Sequence, residues 1–199
     1  INGASESEFT TLLTSENEGN ISITNQNFVL QNGTLSVETA NELNATTSGT
    51  ITATIASSSV ASLTELEGTN AYTITIASGD ATGSTAAELT TISNATTVAV
   101  DASAVTGLAS DTAANIKTLL TAGNDTAQFT GASFESLATV VVSDTTLSGS
   151  ELADAIDQAN TATGGTGTVF TITDASEITG SEANSVSYTH LTLPTTMWV

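Results

Sequence analysis

The chain of 199 residues contains no cysteine, and it has one lysine and no arginine against 21 aspartate and glutamate residues. The absence of cysteine excludes a disulfide framework and a thiolate metal site. The formal net charge of −20 argues against nucleic acid as a partner, because phosphates are neutralised by Lys and Arg. Anionic membrane surfaces are disfavoured for the same reason, and no apolar run reaches the roughly 20 residues of a membrane span. Cations, neutral glycans, surface proteins and other repeats of the same chain remain as partners.

Histidine, proline, methionine and tryptophan occur once each, and all four lie in residues 186–199. Residues 186–195 resemble one reading frame of the transposon-end adapter used in sequencing libraries, and the codons that follow fit an index sequence and a stop after Val199. We therefore expect residues 186–199 to be an artefactual tail and the chain to be an internal piece of a longer protein. Without His190 there is no imidazole for Ser-His-Asp catalysis or for a zinc site. Since the carboxylates form no convergent pair either, we predict that the chain is not an enzyme and has no catalytic residue.

The remaining sequence is rich in small polar residues but patterned like a folded chain. About a third of the residues are Ser or Thr, yet 39% are hydrophobic and the mean hydropathy is +0.15. Four stretches align on a β-branched run, an Asp/Ser/Thr turn and a Ser/Thr-Gly pair, and a fifth keeps the run without the glycine. They are residues 73–83, 98–107, 140–149, 170–180 and, without the glycine, 51–61. Alternating β-branched residues predict a short strand at each.

Segments with apolar residues at helical spacing follow most of these β-branched runs. Apolar residues three or four positions apart mark the predicted helices: Val37/Ala40/Leu43, Val60/Leu63/Leu66, Leu89/Ile92, Ile116/Leu119/Leu120 and Leu152/Ile156/Ala159. Ser or Thr followed three residues later by Glu predicts capping boxes at Ser5, Ser62, Thr85 and Ser148. Gly68 and Gly123 fit helix ends that need a positive φ.

A strand-turn-helix unit of this size cannot bury both of its faces alone, so stacking of neighbouring units is expected. We predict an α/β repeat solenoid of short parallel strands and short amphipathic helices. A right-handed parallel β-helix is the first alternative, and tandem β-sandwich domains are the second. Residues 1–48 are predicted to be an irregular or divergent repeat region, with two irregular strands between residues 20 and 32. Residues 49–185 are predicted to hold the strand-turn-helix repeats.

Acidic residues recur just after the predicted strands. Asp101, Asp144 and Asp174 occupy matching positions, and Asp80 lies near the same position in a fourth unit. Stacking would align their carboxylates along one edge of the sheet. They either accept hydrogen bonds from turn amides or form a ladder of weak metal sites, since Ca²⁺ favours carboxylate oxygens. We therefore expect no cofactor under the first interpretation and calcium under the second. The five Phe residues and Tyr72 are predicted to fill the core, and Lys117 is predicted to be a solvated helix residue.

Two strings carry a resemblance to a known group of proteins: TITIASGDATGSTAAELTTI at residues 73–92 and TTVAVDASAVTGLASDTAANI at residues 96–116. They resemble repeats of very large cell-surface proteins of marine cyanobacteria, and the similarity extends over residues 50–185. The resemblance implies an exported, surface-attached protein of many repeats that serves adhesion, surface organisation or motility. Such proteins often carry calcium-binding nonapeptides, but the nearest match, residues 164–169, has Val169 where that motif has aspartate.

The expected function is therefore a structural or adhesive repeat segment of a large exported cell-surface protein, located outside the cell. The alternative is a calcium-dependent extracellular binding module for glycans or surface proteins. Polysaccharide cleavage on a β-helix would require a groove lined by converging carboxylates.

Overall fold

The computed structural model describes residues 1–56, 58–77, 83–165, 167–173, 177–179 and 191–192. Within these residues the fold is mixed α/β. The helices are α1 (Glu6–Asn17), α2 (Val37–Thr46), α3 (Val60–Leu63), α4 (Ala86–Asn94), α5 (Ala113–Gly123) and α6 (Gly149–Ala162). The strands are β1 (Asn2–Ala4), β2 (Phe28–Leu30), β3 (Ile51–Thr54), β4 (Ala71–Thr73), β5 (Gly107–Asp111), β6 (Thr139–Val142), β7 (Thr146–Ser148), β8 (Val169–Ile172), β9 (Glu177–Thr179) and β10 (Leu191–Thr192).

Every pairing between these strands is parallel. One sheet has the order β1-β2-β3-β4, a second has the order β5-β6-β8-β10, and β7 pairs with β9. Neighbours in each sheet thus follow one another along the chain, apart from β7 and β9, which form a separate ladder. Parallel neighbours need a crossover, and a helix lies in the crossover between successive strands of the first sheet.

The chain divides into two compact units, one of residues 1–75 and 91–100 and one of residues 76–90 and 101–199. The core of the first unit is built from one apolar face of each element. In β3, Ile51 and Ala53 are buried while Thr52 and Thr54 are exposed, which is the period-two pattern of a half-buried strand. The rings of Phe9 and Phe28 meet edge to face, with centroids 5.4 Å apart. This geometry suits aromatic quadrupoles.

In the second unit, α5 has the largest buried apolar stripe. The α5 stripe of Ile116, Leu119 and Leu120 is fully buried, as the spacing predicts. A second edge-to-face pair joins Phe129 and Phe134, with centroids 5.1 Å apart. All five Phe residues and Tyr72 are fully buried, which confirms the prediction that they fill the core.

Buried Thr and Asn side chains form hydrogen bonds between neighbouring segments of the first unit. Thr96 donates its hydroxyl to the Tyr72 carbonyl at 2.6 Å and accepts from the Tyr72 amide at 3.1 Å. Asn70 accepts from the Ile51 amide at 2.9 Å and donates to the Asn44 carboxamide at 3.0 Å. Each side chain satisfies a polar group of a neighbouring segment, which removes the cost of burying that group unpaired.

Several sequence predictions differ from the structure. Strands near residues 51, 140 and 170 are confirmed, but the run Val98–Val100 forms no named strand, and β5 begins later, at Gly107. Only β2 lies between residues 20 and 32. The first 48 residues hold β1, α1, β2 and α2, and β1 and β2 belong to the same sheet as β3 and β4.

The caps also differ in part. The box at Ser5 is present, and Thr85 and Glu88 exchange the two expected bonds. Ser62 is not a cap, because α3 begins one turn earlier and Ser59 accepts from the Ser62 amide. Gly68 has a positive φ of 74°. Gly123 does not; a Cβ there would lie 2.6 Å from the Phe134 ring, so packing explains this glycine.

Candidate functional site: carboxylates that cap neighbouring helices

The most organised polar feature of the second unit lies at the N-termini of its helices. Asp144 follows β6, and its Oδ2 accepts a hydrogen bond of 2.7 Å from the Ala113 amide. Ala113 is the first residue of α5, 31 residues earlier in the chain. The local cap of the same helix is Thr112, whose hydroxyl accepts from the Asn115 amide at 3.2 Å. Two different segments therefore satisfy the first amides of α5, which have no partner within the helix.

Asp111 caps the N-terminus of α4 in the same way that Asp144 caps α5. Its Oδ2 accepts from the Ala87 amide at 2.8 Å. Its Oδ1 accepts from the Thr112 amide at 2.8 Å and from the Asn115 carboxamide at 2.7 Å. The residue is 9% exposed. Because Asp111 directly precedes the N-cap of α5, one carboxylate joins the starts of two successive helices.

The first unit contains a contact of the same kind, made in the opposite chain direction. Glu6, the first residue of α1, accepts at Oε1 from the Ser36 amide at 2.9 Å. Ser36 is the N-cap of α2, and its hydroxyl accepts from the Thr39 amide. Hydrogen bonding from Ser36 lowers the pKa of Glu6 below 4.5, against a smaller opposing effect of burial. The bond from the Ser5 amide likewise lowers the pKa of Glu8.

A physical reason connects these contacts. The aligned peptide dipoles of a helix leave a partial positive charge at its N-terminus, where free amides point outward. A carboxylate placed there gains both a charge-assisted hydrogen bond and a favourable field. With a net charge of −20 and a single lysine, the chain has few side-chain cations. Helix N-termini provide an alternative source of positive potential for its acidic residues.

The structure gives different contacts to Asp101 and Asp144, two of the three predicted site residues. Asp101 makes a local turn, in which Oδ1 accepts from the Ser103 amide at 3.0 Å, whereas Asp144 reaches a neighbouring helix. Asp174 and Asp80 lie outside the described residues. Asp111 shares the role of Asp144 but was not among the site residues predicted from the sequence. Its position immediately before Thr112, the N-cap of α5, is the sequence feature that could have indicated this role.

No cluster of three or more His, Cys, Asp or Glu residues suited to a metal ion occurs in the described ranges. Asp111 uses both of its carboxylate oxygens for N–H donors, and Asp144 and Asp101 use one each. The described contacts of these three carboxylates are therefore those of helix and turn capping.

The other polar features of the surface are an exposed ion pair and two grooves. Lys117 on α5 forms an ion pair with Asp154 on α6, and the two side chains are 43% and 51% exposed; such exposed pairs contribute little to stability. In the first unit a groove of about 660 Å³ is lined by Glu38, Glu42 and Glu65 among others. A groove of about 510 Å³ in the second unit is lined mainly by hydroxyl and amide groups together with Glu135. Every aromatic ring in the described ranges is buried, so neither groove offers a stacking surface for sugars.

Comparison with protein-family models, curated proteins and solved structures finds no match for this chain. Among the helices that the structure describes, none combines the length and apolar character needed to cross a membrane.

Proposed function

We propose that the chain is a structural repeat segment, an α/β solenoid that acts as a spacer or adhesive stalk in a large exported cell-surface protein. The observation that carries the proposal is the capping of one helix by a carboxylate from the next strand-helix segment, as Asp111 does for α4 and Asp144 for α5. A segment that completes its neighbour is suited to an array in which each repeat stabilises the previous one.

The strand order supports this assignment. Within the first sheet each strand pairs with the one that follows it along the chain, and helices connect them. Consecutive parallel strands joined by helices favour a strand-helix solenoid over a β-helix, whose turns are made mainly of strands. The antiparallel pairing of a β-sandwich does not fit these sheets.

The surface also suits a spacer. The exposed residues are rich in Ser, Thr, Asp and Glu, and a strong net negative charge opposes association between copies. Burial of the aromatic rings and use of the carboxylates as amide acceptors both weigh against the alternative, a calcium-dependent binding module. An exported, extracellular location rests on the resemblance of residues 50–185 to cyanobacterial surface repeats.

Small-angle scattering of the recombinant chain tests the solenoid. A compact globule of this length has a radius of gyration of about 16 Å. We expect a larger value with an elongated distance distribution, and a compact profile near 16 Å would contradict the proposal. Thermal melting with calcium tests the alternative. We expect no change up to a concentration of about 1 mM, within the range of extracellular calcium modules, and a clear rise would favour the binding module.

Recovery of the complete reading frame tests the cellular role. We expect further copies of the strand-turn-helix unit together with an export signal. A short frame joined to an enzymatic domain would contradict it.

A further inference from the structure

We propose that Asn32-Gly33 is a site of spontaneous deamidation and isoaspartate formation, a covalent modification independent of the spacer role. The dipeptide lies between β2 and α2, in a bend of the first unit. Asn32 is exposed, and Gly33 has a φ of 91° with no heavy atom within 4 Å of the position a Cβ would take.

The reaction needs a mobile asparagine side chain and a free amide on the next residue. The Gly33 backbone nitrogen loses its proton and attacks Cγ of Asn32, so that an N–Cγ bond forms. The Cγ–Nδ2 bond breaks, and the nitrogen leaves as ammonia. Water then opens the resulting succinimide at either carbonyl, giving aspartate or isoaspartate. The net change consumes one water molecule and releases one ammonia.

The structure leaves both reacting groups available. Among the described residues, neither the Asn32 side chain nor the Gly33 amide has a hydrogen-bond partner. Because glycine lacks a Cβ, the attacking nitrogen is unhindered, and the backbone reaches conformations closed to other residues. The first backbone amide after this dipeptide with a hydrogen bond in the described structure is that of Leu35, which donates to the Thr54 carbonyl at 2.9 Å.

The same dipeptide occurs a second time in a different backbone setting, which provides an internal control. Asn2-Gly3 lies in β1, where Asn2 is paired with Val29 and Ala4 with Leu30, and the register shifts between these two pairs. The pairs on both sides of Gly3, together with the bond of 3.0 Å from the Val29 amide to the Ile1 carbonyl, restrain the backbone rotation that brings the Gly3 amide nitrogen to Cγ of Asn2. Since misplacement of reacting atoms from a near-attack geometry slows a reaction steeply, we expect Asn32 to react roughly tenfold faster than Asn2 in the folded chain.

The test incubates the full chain at mildly alkaline pH and 37 °C, with a parallel sample unfolded in guanidinium. A Glu-specific protease then releases residues 19–38, between Glu18 and Glu38, and mass spectrometry locates each amide-to-acid conversion. Isoaspartate is counted by enzymatic methylation. Asn25 and Asn27 in the same fragment are followed by Gln and Phe and serve as slow references.

We expect conversion at Asn32 first, loss of the signal from that position in Asn32→Gln, and similar rates at Asn2 and Asn32 once the chain is unfolded. Equal rates at the two dipeptides in the folded chain would overturn the proposal. Conversion at Asn32 no faster than at Asn25 and Asn27 would overturn it too.

Discussion

Replacement of Asp111 by alanine tests the contribution of a carboxylate that caps a neighbouring helix. The substitution removes acceptors for three donors, the Ala87 amide, the Thr112 amide and the Asn115 carboxamide, at 2.7–2.8 Å. A hydrogen bond to a charged group contributes roughly 1.5–3 kcal/mol. The three do not add fully, because water can reach part of the site once the side chain is gone. We therefore expect a loss of about 2–3 kcal/mol.

The assay is equilibrium unfolding in urea followed by circular dichroism, with thermal melting alongside. For a chain of this size, a loss of that magnitude lowers the Tm by roughly 5–10 °C. Asp111→Asn, which keeps one acceptor oxygen but loses the charge, is expected to fall between wild type and Asp111→Ala.

Two matched controls isolate the neighbour contact. Asp101→Ala removes only the local bond from the Ser103 amide and is expected to cost about 0.5–1 kcal/mol. Asp157 is exposed on α6, and its alanine variant is expected to stay within about 0.5 kcal/mol of wild type. If Asp111→Ala costs no more than Asp157→Ala, the capping argument is refuted.

Three further predictions follow from packing, burial and charge. Gly123→Ala is expected to destabilise the chain by about 1–3 kcal/mol, because the added Cβ would contact the Phe134 ring. If the higher helix propensity of alanine instead raised the urea concentration at the unfolding midpoint, the packing argument would be contradicted. Tyr72→Phe is expected to leave the free energy of unfolding unchanged or to raise it by up to about 1 kcal/mol, because the Tyr72 hydroxyl is buried without a hydrogen-bond partner in the described part of the chain. The same burial raises the pKa of Tyr72 to about 12, and a clear loss of stability in urea unfolding would contradict this prediction. The pKa of Glu6 is lowered in the folded chain, so the Glu6 carboxylate stabilises the fold at pH values above its unfolded pKa of 4.5, and this stabilisation is lost as the pH falls through the folded pKa. When the pH is lowered from neutral to acidic, the Tm of Glu6→Gln should therefore fall less than the Tm of the wild type. Identical dependence of Tm on pH in the two proteins would rule this contribution out.

The sequence predicted the local elements well where one periodicity dominated. The stripe of Ile116, Leu119 and Leu120 identified α5, and the β-branched run Val140–Val142 identified β6, because both patterns reflect burial of one face. The run Val98–Val100 alternates equally well but forms no named strand, since Val98 is 36% exposed and pairing depends on neighbours that a local pattern does not reveal.

The site was predictable only in part. The position of Asp144 after a strand indicated a polar role, but its partner, Ala113, lies 31 residues away and depends on how the segments pack. Asp101 was grouped with Asp144 by sequence alignment, whereas the packing gives the equivalent contact to Asp111. Gly123 resembled a helix-end glycine, but it is explained by the ring of Phe134, another tertiary neighbour.

Amide hydrogen exchange in Asp144→Ala tests most directly the claim that, in the second unit, a segment completes the helix before it. We expect faster exchange of the Ala113 amide and the first turn of α5, with little change in α6, the helix that follows Asp144 in the chain. Faster exchange confined to the first turn of α6, or no change at Ala113, would contradict the account.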